Sequence, residues 1–131
     1  MIVADTDVLI DALRGGGSQK LVAQHLSSGQ LATTTISVFE LWQGARGERS
    51  ATAIDALLDA CHILPLDAPA ARLAGKLRAE LREQHADIGP TDSLVAGICM
   101  SRGAALLTRN RKHFERIPGL ALLDPENAPS G

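Results

Sequence analysis

Short apolar runs alternate with segments of helical period along the whole chain, and this alternation limits the possible folds more than any other feature. The runs are Ile2-Val3-Ala4, Leu31 to Ile36, Ile63 to Leu66, Ala104 to Leu107 and Leu120 to Leu123. Each reads as a strand, and Pro65 suits its strand to a sheet edge. Helical patterning fills the intervals. Val8, Leu9, Ala12 and Leu13 follow Asp7, a second helix runs from a Ser18 cap to near Gly29, and a third opens at Ser37-Val38-Phe39-Glu40 toward Gly44 or Gly47. A fourth spans Thr52 to Ala60, and the longest, Ala68 to His85, carries the stripe Ala70, Leu73, Ala74, Leu77 and Leu81. Gly89-Pro90-Thr91-Asp92 starts another, and Thr108 to Phe114 reads as a basic loop with one helical turn. Strands that are neighbours and parallel need crossover connections, which are mostly helical. The expected class is therefore α/β, a three-layer sandwich with a central five-stranded parallel sheet between helical layers. With 131 residues the chain makes one domain, expected over 1–124, with 125–131 as a frayed tail.

Composition excludes several functions. A net charge of -2 rules out a uniformly basic nucleic-acid binder, and Phe39, Phe114 and Trp42 are too few to form a row of base-stacking platforms. Cys61 and Cys99 show no Cys-x-x-Cys spacing, so they supply neither a disulfide framework nor a zinc site. No apolar run reaches the roughly 18 residues of a membrane span, and Met1 leads directly into a strand. A cytoplasmic protein is expected.

In open parallel sheets the working site lies beyond the carboxyl ends of the strands, where the strand order reverses. Asp5 ends the first run, Glu40 lies one helical turn past the second, Asp92 begins a helix, and Asn110 follows the fourth run. All four belong to one rim. Carboxylates about 4 to 5 Å apart repel by on the order of 1 kcal/mol per pair in water, and by more in a sheltered cleft. Such a cluster calls for a cation, and oxygen donors suit Mg2+ or Mn2+. A hard divalent ion can activate water and neutralise phosphoryl oxygens, so phosphodiester hydrolysis is the natural chemistry.

Each residue also has a plainer reading. Ser37-x-x-Glu40 fits a capping box, and Asp92 fits the favourable end of a helix dipole. Asp5 is harder to explain structurally, because a charge directly after a buried strand needs a partner. Asp7 and Asp11 are expected to face solvent, with Asp7 close enough to Asp5 to reach the same metal through a water. His25, His62, His85 and His113 lack ligand spacing and read as surface or packing residues, which disfavours metal-free acid-base cleavage. Gly15-Gly16-Gly17 follows a helix and lacks the ending of a phosphate loop. Arg109, Arg111, Lys112 and Arg116 form either a solvated loop or a strip that neutralises phosphates beside the acids, with Arg46 and Arg49 as possible additions.

Four segments in order carry a family resemblance: Ile2-Val3-Ala4-Asp5-Thr6-Asp7-Val8-Leu9-Ile10, Ile36-Ser37-Val38-Phe39-Glu40-Leu41, Ile88-Gly89-Pro90-Thr91-Asp92-Ser93-Leu94-Val95-Ala96, and Leu106-Leu107-Thr108-Arg109-Asn110-Arg111-Lys112-His113-Phe114 with Ile117-Pro118-Gly119-Leu120. The chain resembles PIN domains, in particular the VapC-type toxin ribonucleases of bacterial toxin-antitoxin pairs. That resemblance implies a five-stranded sheet with the first strand central, and Mg2+ or Mn2+ held by Asp5, Glu40 and Asp92. It implies endonucleolytic RNA hydrolysis leaving 5′-phosphate and 3′-hydroxyl ends. The family's fourth acidic position falls on Asn110, which implies a weaker second cation, and Thr6 and Thr108 match hydroxyls that orient carboxylates. Expected partners are the RNA substrate, a VapB-type antitoxin lying over the groove, and a second copy in a homodimer. Leu9, Leu13, Val38, Leu41 and Trp42 exceed what a small core needs and are candidates for an interface. Two rivals remain: a non-catalytic PIN-like module that binds RNA or protein, and a signalling receiver domain with a phosphorylatable aspartate.

Overall fold

A computed structural model describes residues 1–125, so the expected tail lies, apart from Pro125, outside the described residues. Five parallel strands, β1 (Ile2–Ala4), β2 (Leu31–Thr34), β3 (His62–Leu64), β4 (Ala105–Leu107) and β5 (Leu122–Leu123), form one sheet in the order β3-β2-β1-β4-β5. Seven helices are described: α1 (Thr6–Leu13), α2 (Gln19–Ser27), α3 (Thr35–Gln43), α4 (Gly47–Ala60), α5 (Ala68–Glu83), α6 (Pro90–Arg102) and α7 (Arg111–Phe114).

β1 is central, with Ile2 and Val3 registered on Leu31 and Ala32 of β2 and all three of its residues registered on β4. Period-two alternation sends the sheet's side chains to two separate cores. Val3, Ala32 and Leu106 join α5, α6 and Phe114 on one face, while Ala4, Leu31 and Leu107 meet Val8, Leu9, Leu21 and Leu41 on the other. Both faces are covered, which is why the strands lack a polar stripe. The α5 stripe faces its core as expected, with Ala70, Ala74, Leu77 and Leu81 buried. Gly97 lets α6 approach α5 closely, since a β-carbon there would lie 2.6 Å from the Ala70 carbonyl oxygen.

Several boundaries differ from the sequence reading. β2 stops at Thr34, whose hydroxyl accepts the Ser37 N–H and caps α3, so Thr35 and Ile36 are helical despite their branched side chains. β3 starts at His62 and leaves Pro65 outside the ladder. α4 begins at Gly47, well before Thr52. The chain runs from β1 outward to β3, then returns through α5 and α6 to β4 on the other side of β1. The order therefore reverses between β1 and β4.

That order also removes the receiver reading. β3 lies at an edge and is followed by Asp67, which caps α5 by accepting the Ala70 N–H and pairs with Arg102. The third strand is thus an edge strand and not the central one that a receiver domain needs, and the aspartate after the central strand follows the first strand instead.

Candidate metal centre

Asp5 leaves β1 at the reversal point and caps α1 at once, its Oδ1 accepting the Thr6 N–H at 2.9 Å. Its Oδ2 accepts the Thr108 hydroxyl at 2.9 Å, across from the end of β4. At 6% exposure the carboxylate has lost most of its water. Burial, with Asp7 beside it, pushes its pKa up to about 7, although the Thr108 and Thr6 hydrogen bonds oppose the rise and Asp92 adds to it.

The other acids connect to Asp5 through short hydrogen bonds. Thr6 Oγ1 donates to Glu40 Oε1 at 2.7 Å, with the buried Ser37 hydroxyl 2.9 Å from the same atom. Glu40 thus points toward Thr6 and not to a helix-start amide, so the expected capping box does not form; Thr34 holds that role. On the other flank Thr108 Oγ1 accepts the Asn110 N–H at 3.0 Å. The Asn110 amide lies 2.9 Å from His113 Nδ1, which is also 2.9 Å from Asp92 Oδ2. Glu40, Thr6, Asp5, Thr108, Asn110, His113 and Asp92 form one continuous chain along the rim.

The structure brings Asp5, Glu40, Asp92 and Asn110 to that rim, with Thr6 and Thr108 as the hydroxyls between them. The three acids do not touch one another, and among the described residues no three His, Cys, Asp or Glu side chains form a closed metal-ligand group. The donor chemistry nevertheless fits a hard cation. Every donor of the predicted ligand set is an oxygen, and the buried Asp5 carboxylate lies within electrostatic reach of Asp7 and Asp92. Burial holds Cys99 as a thiol, raised to about 12, so sulfur chemistry does not compete at this end of the molecule.

Two groups escaped the sequence reading. His113, read as a surface or packing residue, is indeed 42% exposed in its side chain, but it also contacts both Asp92 and Asn110. Asp7 and Asp11 are half-buried and tie α1 to the loop after β4: Asp7 Oδ1 accepts the Arg109 N–H at 3.3 Å, and Asp11 pairs with the Arg109 guanidinium at 3.2 Å. Burial raises the pKa of Asp7, and hydrogen bonds from Ser18 lower that of Asp11. Of the basic cluster, Arg109 is thus engaged with Asp11, Arg111 lies 3.9 Å from Glu115, and Arg116 reaches the Ala86 carbonyl. Arg111, Lys112 and Arg116 stay exposed.

A groove of about 440 Å³ lies beside the rim between α1, α3 and α4. Leu13, Leu41 and Ile54 give it an apolar lining, Arg14, Arg46 and Arg49 contribute charge, and Glu40 belongs to both groove and acidic rim. Of the surplus apolar residues, Leu9 and Leu41 are core, Leu13 and Val38 are half-buried, and Trp42 is 38% exposed beside Phe39 at 62%.

Comparison with known proteins agrees with this geometry. Residues 2–120 match the PIN domain family. The chain is 32% identical over 124 residues to the tRNA(fMet)-specific endonuclease VapC of Shigella flexneri, covering 92% of this chain and 94% of that protein. It is 32% identical over 122 residues to ribonuclease VapC19 of Mycobacterium tuberculosis, covering 92% and 97%. Among solved structures, DNA-bound VapBC from Salmonella typhimurium superposes with a TM-score of 0.85 at 28% identity, covering 95% of this chain and 97% of that one. VapBC2 of Rickettsia felis, bound to a promoter DNA fragment, gives 0.83 at 27% identity, with 95% and 98% coverage. With its order reversal beside a central first strand, its linked acids on that rim and this match along nearly its whole length, the chain belongs to the PIN domain family.

Proposed function

We propose that the chain is the toxin of a toxin-antitoxin pair, an endoribonuclease that needs Mg2+ or Mn2+ to hydrolyse RNA phosphodiester bonds. The observation that carries this reading is the buried Asp5 carboxylate, raised to about 7 and linked by hydrogen bonds to Glu40 on one flank and toward Asp92 on the other. Relatives named as ribonucleases support it. Asp5 and Asp92 would hold the ion directly, and Glu40 would complete the site or polarise a water. A divalent ion bound there supplies Lewis acidity toward the phosphate and the water. Thr6 and Thr108 aim the Glu40 and Asp5 oxygens through their hydroxyls, and Asn110 orients the remaining water or supports a second, weaker ion. Arg111, Lys112 and Arg116, with Arg109 once it leaves Asp11, neutralise flanking phosphates.

The groove next to Glu40 takes the covering segment of a VapB-type antitoxin, as the VapBC complexes among similar structures support. A peptide there lies against Leu13, Leu41 and Ile54 and brings a side chain to Glu40. The exposed Phe39 and Trp42, one helical turn apart, supply apolar area for a homodimer. The working compartment is the cytoplasm.

The test is cleavage of an RNA pool by the purified protein with Mn2+. Loss of cleavage in EDTA and in Asp5→Asn and Asp92→Asn, with unchanged circular dichroism and products ending in 5′-phosphate, is expected. Persistence in EDTA, or 2′,3′-cyclic phosphate ends, refutes the mechanism. RNA binding without turnover would leave the non-catalytic module as the correct reading.

A further inference from the structure

We propose that His113 is a positioning residue that fixes Asp92 and Asn110 together through a single shared Nδ1–H. The inference rests on the metal-dependent reading above. His113 Nδ1 lies 2.9 Å from Asp92 Oδ2 and 2.9 Å from Asn110 Nδ2. One ring nitrogen offers either a proton or a lone pair. A lone pair would accept from an Asn110 N–H but face an ionised Asp92 oxygen without a proton between them. A proton serves both neighbours, donating to Asp92 Oδ2 and to the Asn110 Oδ1 after a half-turn of the amide, which exchanges two nearly isosteric atoms. The Nδ1–H tautomer is therefore the state that satisfies all three groups.

The backbone that carries the ring is anchored, although the side chain itself is 42% exposed. Phe114, the next residue, is fully buried, and Ile117 anchors the following turn in the same core. Asp92 stands in the first turn of α6, which Gly89 starts with a φ of 88°, a left-handed value suited to glycine before Pro90. His113 bridges 21 residues of sequence to reach it. With Oδ2 on the imidazole, Asp92 keeps Oδ1 for the cation. A carboxylate ligand so tied loses fewer rotamers on binding an ion than a free one.

Two readouts test this without relying on turnover alone. In the metal-free protein, ¹⁵N spectra of labelled histidine are expected to show neutral His113 as the Nδ1–H tautomer; the Nε2–H tautomer overturns the proposal. Calorimetry with Mn2+ is expected to show affinity falling about ten- to a hundredfold in His113→Ala, with a matching fall in kcat and little change in the RNA KM. In His113→Asn an amide N–H can take the place of Nδ1–H, and affinity is expected to recover to within a few fold. Unchanged Mn2+ affinity in His113→Ala, or tighter binding, overturns the inference. Absence of Mn2+ uptake by the wild-type protein overturns both this inference and the metal-dependent reading, whereas uptake that ignores His113 sinks this inference alone.

Discussion

Replacing Asp5 by Asn should make the metal-free protein more stable near neutral pH while removing its capacity to hold a divalent ion. In the folded chain the carboxyl rises from the ordinary 3.8 to about 7, mainly through burial. At about 1.4 kcal/mol for each pH unit, that rise of about three units corresponds to about 4 kcal/mol. Folded Asp5 keeps its proton where the unfolded chain has already lost it. Its contribution to stability is thus fully present below pH 3.8 and is lost as the pH rises through about 7. Asparagine stays neutral at every pH and escapes that loss. It also turns an N–H toward the Thr108 hydroxyl, which already donates to Asp5 and accepts from Asn110, and this mismatch costs about 1 kcal/mol. The net expectation for Asp5→Asn is a gain of about 3 kcal/mol near about pH 8, falling through zero as the pH drops and becoming a loss of up to about 1 kcal/mol near about pH 4. Urea denaturation of both proteins in EDTA across that range measures it. Mn2+ at about a hundred times its Kd should then add about 2.7 kcal/mol to the wild-type protein and nothing to the variant. A variant no more stable than wild type near pH 8, or a difference independent of pH, would refute the account of Asp5 as a carboxylate that needs a cation.

Four further substitutions probe separate parts of the fold and site. Gly97→Ala should destabilise by about 1 to 3 kcal/mol in thermal melts, because its β-carbon would meet the backbone and side chain of α5, whereas Gly75→Ala, with open space around it, should stabilise slightly. Thr108→Val keeps the volume but strips a hydrogen bond from buried Asp5 and an acceptor from Asn110, so about 1 to 3 kcal/mol of stability should go together with most of the cleavage. Arg109→Ala removes an exposed ion pair with Asp11 and should change stability by less than about 1 kcal/mol, while a filter-binding assay shows weaker RNA binding that grows less sensitive to salt.

How far the sequence announces this structure depends on the range of the interaction involved. Ile2-Val3-Ala4 followed by Asp5 is legible because a charge after a buried run has few structural uses, and the α5 stripe is legible because helical period is local. The end of β2 is not. Thr35 and Ile36 carry strand propensity, but the Thr34 hydroxyl offers the backbone a cap, and that cap starts α3 early. The start of α4 has no side-chain cap at Arg46 to announce it. Glu40 sits three residues after Ser37 as a capping box requires, yet Thr6 on another helix competes for its carboxylate at 2.7 Å. The contacts of His113 with Asp92 and of Arg109 with Asp11 are not legible in the sequence for the same reason: the partners are distant along the chain.

The bond from Thr108 to Asp5 joins residues 103 apart, and the β1 to β4 ladder spans nearly the same distance. No amount of local folding in the first hundred residues can complete the rim. Closing so long a loop comes late because its entropy must be met before the contact forms. The acidic rim is therefore incomplete until β4 has docked beside β1, however well the first hundred residues have folded.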